Sequence, residues 1–135
     1  VIVTWLAINV GLPANYDHPT VKFMPEAEIY AIRYGTDHAA RSMPAVTAIY
    51  DGPNGTILLP HDWTAVASAD VSVLVHEMAH HLQHMAGLKY DCLEAREAVA
   101  YAAQEQWLIH AETNLYEEFG FDGFTVKFLT TCKPP

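Results

Sequence analysis

Two imidazoles and a carboxylate stand within five residues at His76-Glu77-Met78-Ala79-His80. On a helix, His76 and His80 lie one turn apart on the same face, so their rings can converge on a single ion. Glu77 is swung ~100° around the axis from His76. That position is poor for completing the coordination and good for taking a proton from a water beside the ion. Two histidines with an adjacent carboxylate point to zinc, whose catalytic sites take three protein ligands and leave the fourth position open. Eight His and nine Glu in 135 residues produce about 0.03 such windows by chance, so composition does not explain the motif. Solvated histidines on an exposed helix are the competing reading.

A third ligand has to come from elsewhere. Gly87 is followed by Leu88, Lys89 and Tyr90, so no histidine stands at the HExxHxxGxxH spacing. The early carboxylates of the next helix are Glu94 and Glu97. Glu94 is explained as a partner in an N-terminal capping box with Asp91, whereas Glu97 shares a face with Tyr101, Gln104 and Leu108. Glu97 is the expected ligand, with Glu94 in reserve. A carboxylate-bridged di-iron site needs a second ExxH run, and the chain has no other.

Several elements must position these groups. The motif helix is predicted over Ala69–Ala86, with Ser68 or Asp70 as N-cap and Gly87 just past its end. Val71, Leu74, Val75, Met78, Leu82 and Met85 fall in an arc of about 100° opposite the histidines. That stripe is expected to pack on a sheet while His76, Glu77 and His80 face a cleft. His81 is expected at the rim or on the helix surface, and His84 near the helix end in solvent. A last helix is predicted from Asp91 to about Glu118, ahead of Gly120, with an alanine-rich first half that admits a close neighbour.

Upstream, Val1–Ile8 reads as a buried first helix, Pro13–Pro19 as loop and Val21–Met24 as a short strand. A second helix follows Pro25, with Gly35 as C-cap, and residues 36–44 read as loop. Ala45–Tyr50, Asp51–Gly55 and Thr56–Leu59 have the pattern of strand, five-residue turn and strand. Pro60 stops the second strand, whose Leu58-Leu59 is a candidate sheet edge able to accept an extended peptide. The apolar tail from Phe119 is expected to fold back on the core.

HExxH at 76–80 together with Glu97-Ala98-Val99-Ala100-Tyr101 on the following helix resembles the gluzincins, the zincin group that includes thermolysin. In size the chain looks like the minigluzincins. It is also similar to a family of small bacterial proteins that pair a VHEMxHHLQ-type helix with a cysteine and an E-x-x-A-Y helix, a family that carries no assigned activity. The resemblance spans about residues 45–110. It implies His76, His80 and Glu97 as zinc ligands, Glu77 as general base, and an α+β zincin-like domain over 1–135. In that domain a small sheet or hairpin packs on the motif helix and a second long helix. Many gluzincins carry an acid four positions after the third ligand; here that position is Tyr101, whose phenol is expected to take over the hydrogen bond to a histidine ligand. Tyr50, Tyr90 and His61 are candidate oxyanion donors, none of them assigned. The minigluzincin likeness also implies that a terminal segment, here Phe121–Pro135, can block the cleft.

Bulk properties agree with a globular domain of 51% apolar residues that carries no span long enough for a bilayer. Seven basic residues face sixteen acidic ones, for a net charge of −9 with no basic cluster, so nucleic acid and anionic membranes are not expected partners. A peptide or protein substrate and a monomeric state are. Cys92 and Cys132 suit a disulfide that ties down the tail in an oxidising compartment, two free thiols being the alternative. A periplasmic or secreted location is expected, any export signal lying outside these residues. The expected function is a zinc metallopeptidase. The rival is a catalytically silent or latent zincin-fold module that keeps its metal for partner recognition.

Overall fold

A computed structural model of the chain describes residues 1–13, 15–34 and 48–134. Its elements follow in the order α1 (Ile2–Asn9), β1 (Thr20–Met24), α2 (Glu26–Tyr34), β2 (Ile49–Asp51), β3 (Thr56–Pro60), α3 (Ser68–Met85), α4 (Leu93–His110), α5 (Leu115–Phe119) and α6 (Gly123–Thr130). The architecture is α+β, as expected.

The sheet has the order β1-β3-β2, with β1 parallel and β2 antiparallel to β3. Every residue of β3 is buried, which explains an uninterrupted Ile57-Leu58-Leu59 run where alternation would mark a half-exposed strand. β3 is therefore the central strand, not the edge its short apolar run suggested; the edges are β1 and β2. The turn is one residue shorter than expected, because Asp51 pairs with Thr56 and belongs to β2. Gly55 closes it at φ +58°, a backbone state in which a side chain is strained. The expected C-cap Gly35, the loop 36–44 and strand residues 45–47 lie outside the described residues.

One core cluster joins Leu6 of α1, Ile57 and Leu59 of β3, Val75, Met78, Ala79 and Leu82 of α3, and Ala100 and Ala103 of α4. Burying each of the larger side chains contributes roughly 1.5–3 kcal/mol. Within α1 only Leu6 is fully covered and Ile8 is 77% exposed, so the first helix is half-buried rather than enclosed. On α3, Val75, Met78 and Leu82 pack as the arc predicts, yet Met85 is exposed and the histidine side is buried too. The cause is α4, which covers that side. Hydrogen bonds join position 72 to 104 and position 83 to 96, so α3 and α4 run antiparallel.

Three helix ends differ from expectation. Neither Ser68 nor Asp70 caps α3; the N-cap is Ala67, and the Asp70 carboxylate accepts from the Thr64 N–H instead. At the other end Gly87 is left-handed at φ +65°, and the Leu88 N–H reaches back to the Gln83 carbonyl. The N-cap of α4 is Cys92, whose sulfur accepts from the Ala95 N–H, rather than Asp91. This helix stops at His110 instead of Glu118. Asn114 then starts α5 by accepting from Glu117 N–H, and Gly120 ends it at φ +71°.

The tail does fold back, with α6 against α4. A disulfide joins Cys92 to Cys132 with 5.8 Å between Cα atoms, which decides the thiol question and links the start of α4 to the chain beyond α6. No helix among the described residues is long and apolar enough to cross a membrane.

Candidate metal centre

The antiparallel α3–α4 pair sets the register that matters. His76 and His80, one turn apart on α3, both meet Glu97 of α4: His76 Nε2 is 3.1 Å from Glu97 Oε2, and His80 Nε2 is 2.8 Å from Oε1. Each of the three residues offers a ligand atom within 4.8 Å of the other two, forming a His, His, Glu group that could hold a metal ion. Glu94, the reserve candidate, lines the same cavity but is not part of this group.

The other ring nitrogens decide what the group is suited to. Nδ1 of His80 lies 2.8 Å from Gln83 Oε1, and Nδ1 of His76 lies 2.9 Å from Gln104 Oε1. The amide orientations are fixed by what lies behind them. Gln83 Nε2 donates to the Arg96 carbonyl, which can only accept, and to the Tyr90 hydroxyl. Gln104 Nε2 donates to Ser72 Oγ, whose own proton goes to the Ala69 carbonyl. Each Gln oxygen therefore faces its histidine and takes an Nδ1–H proton. In the neutral rings both Nε2 lone pairs then point at the Glu97 carboxylate. Three acceptors converging in a buried site repel one another unless a cation sits between them.

A divalent ion fits this donor set. Tetrahedral zinc with bonds of about 2.0–2.1 Å spaces its ligand atoms roughly 3.3 Å apart, a few tenths of an ångström wider than the two His–Glu separations. Without an ion, protons must fill the gap. Burial disfavours charge on His76, but its hydrogen bond to Glu97 and the nearby Glu77 carboxylate prevail and raise its pKa above the ordinary histidine value. Burial likewise pushes Glu97 up, and hydrogen bonds from His76 and His80 overrule it, holding the carboxyl well below the usual carboxylate range.

Around the group lies a cavity of about 330 Å³. Glu77 lines it beside the two histidines, the position its helix spacing predicts, and Tyr50 of β2 lines it from the sheet side. Phe121, Phe128, Leu129 and Lys133 of the tail form another wall.

Several neighbours stand elsewhere than expected. His81 is buried rather than at the rim: its Nε2–H donates to the Asp17 carbonyl at 2.7 Å, so Nδ1 accepts from the Tyr50 hydroxyl at 2.9 Å. His84 is exposed, as predicted, with its ring beside Tyr50. Tyr101 packs its ring edge-on against His76 at 4.5 Å between centroids, and the hydrogen bond expected of its phenol belongs to Gln104. Of the candidate oxyanion donors, Tyr50 lines the cavity, Tyr90 is a partner of Gln83, and His61 is exposed beyond β3. Sequence reasoning missed the roles of Gln83 and Gln104. The available signals were Gln83 three positions after His80 and Gln104 two turns after Glu97 on one stripe.

The chain belongs to the family described as a domain of unknown function, DUF6647, whose model matches residues 1–134. No curated protein and no solved structure matches it.

Proposed function

We propose that the chain is a zinc-dependent hydrolase, a peptidase of gluzincin type, with His76, His80 and Glu97 as zinc ligands. The observation that carries this reading is the convergence of two Nε2 atoms and a carboxylate whose partners leave them all acceptors, with Glu77 in the same cavity. Zinc, when bound there, supplies Lewis-acid polarisation of a carbonyl and makes water a nucleophile near neutral pH. Glu77 takes the proton from the attacking water and passes it to the leaving amine. Gln83 and Gln104 hold the two imidazoles in the tautomer that ligation requires. An edge strand on the cavity wall favours an extended peptide as substrate, and the disulfide favours a periplasmic or secreted setting.

The test is metal analysis with one variant. Purified protein is expected to hold about one zinc per chain. Glu77→Gln is expected to keep that zinc and to lose chelator-sensitive cleavage of a peptide library. Wild-type protein that takes up no zinc rejects the reading.

A second reading, a latent or silent module, is favoured by the tail that walls the cavity and is tied to α4 by Cys92–Cys132. Zinc-loaded protein that cleaves nothing until the segment after Gly120 is removed supports latency; one that stays inert after removal supports a purely binding role.

A further inference from the structure

The chain carries seven basic residues and a net charge of −9, yet Arg33, Arg96 and Lys133 all line the cavity around the metal group. They meet three carboxylates there, Glu77, Glu94 and Glu97, so among the described residues the charged side chains of the lining balance before any ion is counted. A divalent cation leaves this cavity positive in an otherwise acidic molecule. Such a pocket concentrates anions.

Arg96 is the member placed to use that field. It immediately precedes Glu97 on α4, and its backbone carbonyl accepts from Gln83, the residue that also orients His80. Its helix position is therefore locked to the metal group. The side-chain Nε of Arg96 is buried and, among the described residues, has no hydrogen-bond partner. Buried donors are rarely left unmet, and this one belongs to a side chain that lines the cavity. The planar guanidinium presents paired N–H groups as a fork that matches the two oxygens of a carboxylate. Burial and Asp51 raise the pKa of Tyr50, which lines the same cavity, and the charge of Arg96 works against them.

We propose that Arg96 binds a carboxylate of the substrate through its guanidinium and so makes the site selective for peptides that present one next to the cleaved bond. The inference rests on the zinc hydrolase reading above. In a peptide, that group is either the C-terminal carboxylate or the side chain of an Asp or Glu.

The test uses three dipeptide hydroxamates, in which the hydroxamate supplies the metal-binding group. One ends in a free carboxylate, one in an amide but with a Glu side chain, and one in an amide with Gln in its place. Binding to zinc-loaded protein is measured by calorimetry. One of the two acids is expected to bind roughly 10–100-fold more tightly than the uncharged compound, and which one does so identifies the source of the carboxylate. Arg96→Gln is expected to abolish the preference while retaining zinc. Arg96→Lys, which keeps the charge without the fork, is expected to retain only part of it. Equal binding of all three compounds by the wild type overturns the role of Arg96 and leaves the metal centre standing. An undiminished preference in both variants overturns it as well. Failure of every hydroxamate to bind the zinc-loaded protein overturns the hydrolase reading and this inference together.

Discussion

The side-chain oxygen of Gln83 sits 2.8 Å from Nδ1 of His80, and the amide nitrogen behind it is held by the Arg96 carbonyl and the Tyr90 hydroxyl. Three elements thus combine to fix one proton, and that proton sends the Nε2 lone pair toward Glu97. Gln83→Leu keeps the bulk and removes the acceptor. It is expected to lower zinc affinity by about 10–100-fold, the usual effect of losing an outer hydrogen bond to a histidine ligand. Competition against a chromophoric chelator measures it, and unchanged affinity shows that the tautomer is set some other way.

On the proposed reading protons and metal compete for the same three atoms, which separates the pH behaviour expected of the two forms. In metal-free protein the lowered Glu97 pKa stabilises the fold above the ordinary carboxyl value, and this contribution is lost as pH falls through the lowered one. The raised His76 pKa stabilises the fold below the ordinary histidine value, and that contribution is lost as pH rises through the raised one. Both act fully between about pH 4.5 and 6.5. Zinc needs neutral imidazoles, so its stabilising effect grows above that window. With zinc at 100 times its dissociation constant, thermal melts are expected to shift up by roughly 10 °C near pH 8 and by much less near pH 5. A shift independent of pH tells against histidine ligation.

What the sequence made legible follows the reach of each signal. The pairing of His76 with His80 was legible because helical spacing is local, and Glu97 because few carboxylates open the next helix. The hairpin was readable for the same reason. The parallel pairing of β1 with β3 was not, since it joins strands more than thirty residues apart and turns a suspected edge into the centre of the sheet. Burial of His81 depends on the distant Asp17 carbonyl and on Tyr50, so its angle on the helix wheel misled. The end of α4 at His110 was hidden because Glu112, Thr113 and Asn114 do not break a helix as Gly or Pro does; Glu112 takes a positive φ of 63° all the same.

Cys132→Ser removes the disulfide while leaving Cys92 as the cap of α4. The bond closes a loop with a sequence separation of 40, for which chain entropy gives about 4 kcal/mol. α6 has no fully buried residue of its own, so it depends on this link more than the core does. The melting temperature is expected to fall by roughly 10 °C or more. Limited proteolysis is expected to cut after Gly120 in the variant and to spare the rest. Resistance equal to the wild type indicates that the contact between α6 and α4 is sufficient without the bond.

Glu94 and Glu97 stand one turn apart on α4, and both line the cavity, so a comparison of the two isolates ligation from simple charge. Each change to Gln removes one negative charge from the same wall and keeps the side chain's size. Only Glu97 lies within bonding range of the two histidines. An effect that runs through the field of the cavity must therefore be similar for the two variants. One that runs through coordination must be confined to Glu97. Glu97→Gln is expected to weaken zinc binding beyond the roughly 10–100-fold loss typical of an outer partner, and Glu94→Gln to change it only slightly. Metal content after dialysis and chelator competition measure both. Equal losses in the two variants, or a larger one for Glu94→Gln, show that the ion sits elsewhere than between His76, His80 and Glu97.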